Sequence, residues 1–522
     1  MACYHRLFEW CEMERKDLLC KEEIKGRRII CFGRNIQYLS EFCSKFDAAD
    51  DIVCVVDNNP KTHGKVQIGQ NIFSVVSPDK LYSMELKSTA IVITCAYYKE
   101  VFEQLSSIEA VAENIEVVYQ YNDIQLANEQ KYLKKYKVSP LENIIIFRSG
   151  PAEKVYIKGT DFSDNAKALF EFMLKIQYNK KYQLIWFVKN PKEFDGRYSE
   201  ENVKFISFDW AGSEVEEETD IYYDALFHAK YIFCTDACDF AKSVRKEQIR
   251  VQLWHGCGFK TRVNFVRCED RYEYTTVISD MYAEIHQRIY GLRKDQVLVT
   301  GYAKHDWVYQ PYDWDLSDVL EIPEASKYVL WLPTFRMADE RLQELNQYDL
   351  NPATGIPIIS DTTQLKTMND LLQEKDIVLI IKLHPFQKNE TIRNYHFSNI
   401  VVLSNSDLDE KDLILNRIMA HVDALISDYS SAAVDFLNAD KPIAFTLDDE
   451  SEYRMSRGFV FENIIEWLPG AELYHYDDLC NFITEIAMGI DSSMEKRHYI
   501  AGKMLKFRDK NNCKRIVEAL NI

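Results

Sequence analysis

Four apolar runs in this chain end in residues suited to handling a phosphoryl group. VQLW leads into His255 and Gly256, YVLWL into Pro333, Thr334, Phe335 and Arg336, and VLIIKL into His384 and Pro385. DALIS leads into Asp428, Tyr429, Ser430 and Ser431, followed by the helix-like AAVDFLN. Serines at a helix start offer hydroxyls and backbone N–H groups to phosphate oxygens, and the helix dipole adds to the attraction. The planar fork of Arg336 can hold two such oxygens at once. Two histidines facing one cleft supply a general base and a second group that protonates or stabilises the phosphate. Each element alone also has a plain structural reading: a hydrogen-bonded core histidine, an N-cap serine, a surface ion pair for Arg336. Their recurrence at one end of several strands favours the joint chemical reading.

Those runs need a scaffold that brings their ends together. A chain of 522 residues suggests about three domains at ~150 residues each. Up to about residue 137, RRIICFG, DIVCVVD and STAIVITC alternate with helical stretches, the pattern of a parallel sheet. Gly33 and Asp57 at the first two strand ends evoke a dinucleotide-binding unit, but the second and third glycines of that fingerprint are missing. This part therefore reads as a Rossmann-like accessory domain that contacts a partner or another subunit. KYLKKYKVSP (Lys131 to Pro140) marks a boundary, read either as a solvated helix end or as a patch for anionic lipid. From 141 to 315 seven apolar strands, NIIIFRSG to QVLVTG, alternate with helices, and from 316 onward YVLWLPT, IVLIIKLHP, NIVVLS, DALIS and PIAFT do the same. Ligands of such sheets bind beyond the carboxyl ends of the strands. That is where the candidate residues lie.

Composition removes other classes. Hydrophobic residues make up 47% and charged ones 28%, ordinary globular usage. The net charge of -19 opposes general binding to nucleic acid or an anionic membrane, so an anionic ligand must be met by local positive charge. Thirteen cysteines without a CxxC pair form neither a disulfide framework nor a zinc pattern, which points to a reducing cytoplasm. The N-terminus lacks the pattern of a signal peptide, and no apolar run reaches the roughly 18–20 residues that span a bilayer. Work at a membrane would then be on its surface.

Two rival chemistries are present locally. Cys257 beside His255 invites a thiol nucleophile, but positions two apart on a turn rarely reach productive geometry and no third orienting group is evident. Asp448, Asp449 and Glu450 could hold a divalent ion; a solvated loop, or a contact of Asp449 with the donor, suits them better.

In order, LWHG (253–256), GYAKHD (301–306), LPTFR (332–336), KLHP (382–385), SDYSSAAVDF (427–436), KPIAF and downstream Asp449, Tyr453 and Arg457-Gly458 resemble the CDP-glycerol:poly(glycerophosphate) glycerophosphotransferase family. SDNAKALFEFM (163–173) and the C-terminal FRDKNNCKRIVEAL extend the match to roughly 140–522. The resemblance implies an α/β, GT-B-like pair of Rossmann-like lobes facing a cleft, here preceded by the smaller Rossmann-like domain. The expected division is 1–137 accessory, 138–315 acceptor-side lobe and 316–522 CDP-donor lobe. It implies metal-independent transfer of glycerol phosphate from CDP-glycerol, without a cofactor, to a hydroxyl of a teichoic-acid-like or capsular acceptor, with release of CMP. The catalytic candidates are His255 and His384. The substrate-binding candidates are Gly256, Lys260, Thr334, Arg336, Lys382 (ranked below Arg336), Asp428, Ser430, Ser431, Asp435 and Asp449. Where the family commonly has Pro-Arg after the glycine at 301, this chain has Tyr302-Ala303-Lys304, so Lys304 or His305 is expected to take over that arginine's work. Alternatives are a CDP-ribitol donor, a nucleotide-sugar glycosyltransferase on the same fold, and a silent scaffold, against which the retained histidines, Arg336 and serines argue. Expected partners are the donor, a lipid-linked or polymer acceptor, the inner membrane face through Lys131–Lys137 and Lys496–Arg515, and a second copy through the N-terminal domain.

Overall fold

The structure, a computed structural model, describes residues 26–84, 86, 89–95, 101, 104–105, 107–108, 111, 118–120, 124–150, 160–213, 215–235, 245–261, 272–334, 354–383, 392, 395–456 and 458–522. Arg336 and His384 lie outside the described residues. The chain divides into two compact units, one reaching to Lys135 and taking in Ala211–Thr219, the other holding Tyr136–Trp210 and Asp220–Ile522.

The first unit is a six-stranded sheet of β1 (Arg28–Phe32), β2 (Ile52–Val56), β3 (Gly64–Ile68), β4 (Asn71–Val76), β5 (Thr89–Ile93) and β6 (Val118–Gln120). Its order is β3-β4-β2-β1-β5-β6, parallel except for the antiparallel β3–β4 hairpin. Strand β1 buries Ile29 and Cys31 in one core and Ile30 and Phe32 in another. Side chains alternate across a strand, so an unbroken apolar run marks a sheet covered on both faces. In the helix Ile124–Tyr136, Lys131 pairs with Glu216 at 3.0 Å and Tyr132 is fully buried.

The second unit holds two sheets. One comprises β7 (Glu142–Arg148), β8 (Gln183–Val188), β9 (Val203–Ser207), β10 (Ala229–Cys234), β11 (Ile249–Gln252), β12 (Tyr274–Val277) and β13 (Val297–Val299), in the order β13-β12-β11-β10-β7-β8-β9. The other comprises β14 (Lys327–Trp331), β15 (Ile377–Lys382), β16 (Ile400–Leu403), β17 (Ala424–Ser427), β18 (Ile443–Thr446) and β19 (Ala471–Leu473), in the order β16-β15-β14-β17-β18-β19. All their pairings are parallel. Strand β15 divides its apolar residues in the same way, Ile377, Leu379 and Ile381 to one side and Val378 and Ile380 to the other. Each such burial stabilises by about 1.5–3 kcal/mol. The C-terminal helix Asn512–Ala519 returns to the earlier sheet, where Cys513, Ile516 and Val517 join its core. Asp306 holds that helix's start by accepting from the backbone N–H of Asn512 at 2.9 Å and of Cys513 at 3.0 Å.

No described helix is long and apolar enough to cross a membrane. Cys31, Cys43, Cys54, Cys95, Cys257, Cys480 and Cys513 are free thiols. Cys234 is disulfide-bonded.

Candidate active site

Beyond β11 the backbone makes a tight, strained turn that presents His255. Trp254 takes φ +61°, a left-handed conformation that costs a bulky residue of order 1–3 kcal/mol and persists only where surroundings enforce it. The enforcement is visible. Gln252 accepts from the Trp254 N–H at 2.9 Å, and the Asn165 amide donates to the Trp254 carbonyl at 2.8 Å. Thr276 donates to the Leu253 carbonyl at 2.9 Å, and Lys304 Nζ donates to the His255 carbonyl at 2.6 Å. The indole packs edge-on to Tyr290 at 4.6 Å. Backbone is thus pinned on both sides of a histidine whose own side chain is exposed.

Behind the turn lies a buried polar cluster. Lys304, 4% exposed, places Nζ 3.3 Å from Asp164 Oδ1 and 2.9 Å from Asp435 Oδ2. His305 Nε2 stands 2.7 Å from Asp435 Oδ1. Burial works against the ammonium, yet Asp164 and Asp435 outweigh it and the Lys304 pKa is raised. Burial likewise works against the Asp435 carboxylate, but Lys304 and His305 hold it below its usual range. Burial wins at Asp164, whose pKa is raised against the pull of Lys304 and His255.

The later sheet meets this turn with Ser430 and Ser431. Ser430 caps the helix Ser431–Phe436, accepting from the Ala432 N–H. A Cβ on Gly256 would stand 2.3 Å from Ser431 Oγ, and one on Gly258 3.2 Å from Ser431 Cβ. Glycine is what permits this approach of bare backbone. Farther along, Phe259 accepts from the Val460 N–H at 2.8 Å and Gly458 from the Thr261 N–H at 3.2 Å, and Lys260 Nζ lies 5.5 Å from the Tyr453 ring centre. The carboxyl ends of the two sheets therefore face each other. In the later sheet the strand order reverses between β14 and β17, the place where open α/β sheets bind ligands. There Thr334 donates to Asp428 through both N–H (2.7 Å) and hydroxyl (2.5 Å). Lys382, half-buried, donates to Asn405 at 2.6 Å, and burial lowers its pKa to about 8.

The expected residues thus separate by depth. His255 is exposed, and Gly256, Lys260, Thr334, Lys382, Ser430 and Ser431 are part-exposed. Asp428, Asp435 and Asp449 are buried. Asp435, expected among substrate contacts, is instead engaged by Lys304 and His305. Those two, expected to serve in place of a family arginine, are themselves buried. The expectation of a solvated loop at 448–450 fails for Asp449, which is fully buried and accepts from Tyr429 Oη at 3.2 Å. Asp448 instead accepts from the Ile358 N–H and Glu450 pairs with Arg454, so the three carboxylates have separate partners. Cys257 does not pair with His255. Its buried thiol lies 2.9 Å from Tyr302 Oη and 3.6 Å from His286 Nε2, and burial pushes its pKa up to about 12. Burial lowers the His286 pKa to about 3, so this histidine is neutral. Sequence reasoning did not single out Asp164, Asn165, Trp254 or His286. Only SDN before an apolar helix hinted at the first two.

Two parallel sheets with strand ends opposed and polar groups gathered between them define a GT-B-like α/β protein. A solved structure of the wall teichoic acid polymerase TagF shares this fold, with TM-score 0.56 and 17% identity over 82% of this chain and 98% of that one. The family CDP-Glycerol:Poly(glycerophosphate) glycerophosphotransferase matches residues 142–521, and the chain belongs to it. It is 31% identical over 277 residues to the teichoic acid glycerol-phosphate primase of Bacillus subtilis, covering 49% of this chain and 66% of that protein. It is 24% identical over 315 residues to the teichoic acid ribitol-phosphate polymerase TarK of Staphylococcus aureus, covering 56% and 57% respectively. The chain thus spans two thirds or less of the length of these relatives.

Proposed function

We propose that this protein transfers glycerol phosphate from CDP-glycerol to a hydroxyl of a teichoic-acid-like or capsular acceptor, releasing CMP. The observation that carries the reading is the exposed His255 on a pinned turn whose glycines stand against Ser431, with the Asp435 carboxylate behind it paired to Lys304 and His305. His255 takes the proton from the acceptor hydroxyl. The freed oxygen attacks the phosphorus that bears glycerol, and the bond from that phosphorus to the bridging oxygen breaks, leaving CMP. Ser430, Ser431, Thr334, Lys260 and Lys382, with Arg336, hold the donor phosphates, and His384 supports the departing phosphate. The earlier sheet of the second unit serves the acceptor and the later one CDP.

CDP-ribitol is the second donor to consider, because the relatives include a ribitol-phosphate polymerase. Incubation with CDP-glycerol, CDP-ribitol and nucleotide-sugars tests both. CMP release from CDP-glycerol at least tenfold above the others is expected; UDP or UMP release from a nucleotide-sugar would overturn the reading. We assign the first unit to partner contact, a second copy of the chain included, and attachment at the cytoplasmic membrane face to the basic segments 131–137 and 496–515. Salt should weaken binding to anionic vesicles through screening. Equal, salt-independent sedimentation with neutral vesicles would refute that attachment.

A further inference from the structure

Among the described residues, the buried cluster behind His255 joins elements that are far apart in sequence, and its central ammonium has three partners, one backbone carbonyl and two carboxylates. Lys304 Nζ reaches the His255 backbone carbonyl at 2.6 Å, Asp164 at 3.3 Å, and Asp435 at 2.9 Å. The first two belong to the earlier sheet's layer. Asp435 belongs to the helix Ser431–Phe436 of the later one, whose first residues stand against Gly256 and Gly258. One short helix therefore presents Ser430 and Ser431 to the opening at its start and delivers a carboxylate to the His255 turn near its end. We propose that Lys304 is a positioning residue for transfer: its ion pair with Asp435 ties the placement of the His255 turn to that of the serine helix.

Neither group would keep its place without the other. The Trp254 conformation is unfavourable by itself, so the turn keeps its shape only while its carbonyls are held. Asn165 and Thr276 hold the carbonyls of Trp254 and Leu253 from within the same layer. Lys304 holds that of His255, and its ammonium remains buried only because Asp164 and Asp435 neutralise it. If the serine helix moves away, Lys304 loses Asp435 and the hold on His255 loosens. His305, also on Asp435 at 2.7 Å, gives the carboxylate a second anchor on the earlier layer.

This inference depends on the reading of His255 as the base, so the experiment carries one arm that needs no turnover. In the full chain, Lys304→Met, Lys304→Arg and Lys304→Met/Asp435→Asn are compared with the parent; the double variant removes both charges of the central pair together. The first arm is the rate of His255 carbethoxylation by diethyl pyrocarbonate, followed by peptide mass spectrometry. The second is CMP release at saturating and limiting CDP-glycerol. In Lys304→Met the His255 modification rate should change at least threefold, and kcat should fall at least tenfold with KM within threefold. Lys304→Arg should recover most of both. The double variant should be no worse in kcat than Lys304→Met, since both break the same link. An unchanged His255 modification rate in folded Lys304→Met, or a drop in thermal stability with kcat within twofold, would overturn the positioning role. Failure of the parent to release CMP would instead remove the functional reading and leave the carbethoxylation arm to decide the geometry.

Discussion

The two units of the protein differ in what their strand exits leave at the opening. In the first unit the order reverses between β1 and β5, whose exits are bonded to each other: Thr94 Oγ1 donates to the Gly33 carbonyl at 2.9 Å. The Asp57 carboxylate accepts from the backbone N–H groups of Arg34 and Asn59, both at 2.8 Å. In the second unit the carboxylates face inward, onto Lys304, His305 and Tyr429. The histidine and the serines are left at the opening. Both units tie a carboxylate at a strand exit to backbone N–H groups, Asp57 to Arg34 and Asn59 and Asp428 to Thr334; what distinguishes the second unit is that His255, Ser430 and Ser431 stand at its opening.

The largest expected effect follows from the open exit. His255→Ala should lower kcat by about 10²–10⁴-fold, the usual contribution of a positioned base, and His384→Ala similarly. The melting temperature should hardly move with His255→Ala, since its side chain is exposed. Near-normal CMP release would remove that histidine from the mechanism.

A pair of glycine variants sharpens the contrast. Gly256→Ala puts Cβ 2.3 Å from Ser431 Oγ, and Gly33→Ala puts Cβ 2.6 Å from Cys95 Cβ at φ +113°. Overpacking of this kind costs about 1–3 kcal/mol. It should appear as a roughly tenfold or greater loss in kcat/KM for Gly256→Ala, and as lost stability with transfer retained for Gly33→Ala. Equal losses of transfer in both would dissolve the distinction.

A smaller effect is tied to pH. Burial holds Lys382 at about 8, below the unfolded value of about 10.4. Between those values the unfolded chain binds the extra proton, so stability contributed at this residue rises with pH across that window. Donor attraction has the opposite sign, because the ammonium is lost as pH climbs through about 8. The KM for CDP-glycerol should increase several-fold from pH 7 to 9 in the parent and stay flat in Lys382→Met. A parallel rise in both would assign the pH effect elsewhere.

The strands that carry the open exits were legible because buried parallel strands are mainly apolar runs: β7, β8, β10 and β15 are nearly continuous ones, and the shorter β9, β11, β12 and β13 show as apolar segments interrupted by polar residues or part-exposed. Strands β3 and β4 were not, since they form an antiparallel pair with every other residue exposed. Three-residue β19, Ala-Glu-Leu, is too short to leave a pattern. His255, Ser430 and Ser431 could be nominated from their place after strands. Which aspartates turn inward could not, because the partners of Asp435 lie 130 positions away and only the folded chain brings them together. The burial of Asp435, Asp449, Lys304 and His305 was not legible for that reason.

The smallest expected effect on transfer is at Asp57, and it tests the closed exit directly. At the end of the second strand of a dinucleotide-binding unit a carboxylate holds ribose hydroxyls. Here both oxygens are already accepting, Oδ2 from Arg34 N–H and Oδ1 from Asn59 N–H, and the backbone carbonyl of the same residue lies 2.9 Å from His63 Nε2. Asp57→Ala leaves two backbone donors without that acceptor, a cost of about 1–3 kcal/mol where they are shielded from water and less here because Asn59 is exposed. Chemical denaturation should show a loss of about 1 kcal/mol in the first unit's transition. CMP release should stay within twofold of the parent, with the KM for CDP-glycerol unchanged. A tenfold increase in that KM without further loss of stability would mean that the carboxylate gives up its backbone partners to a nucleotide, and the first unit would then have to be counted as a donor site.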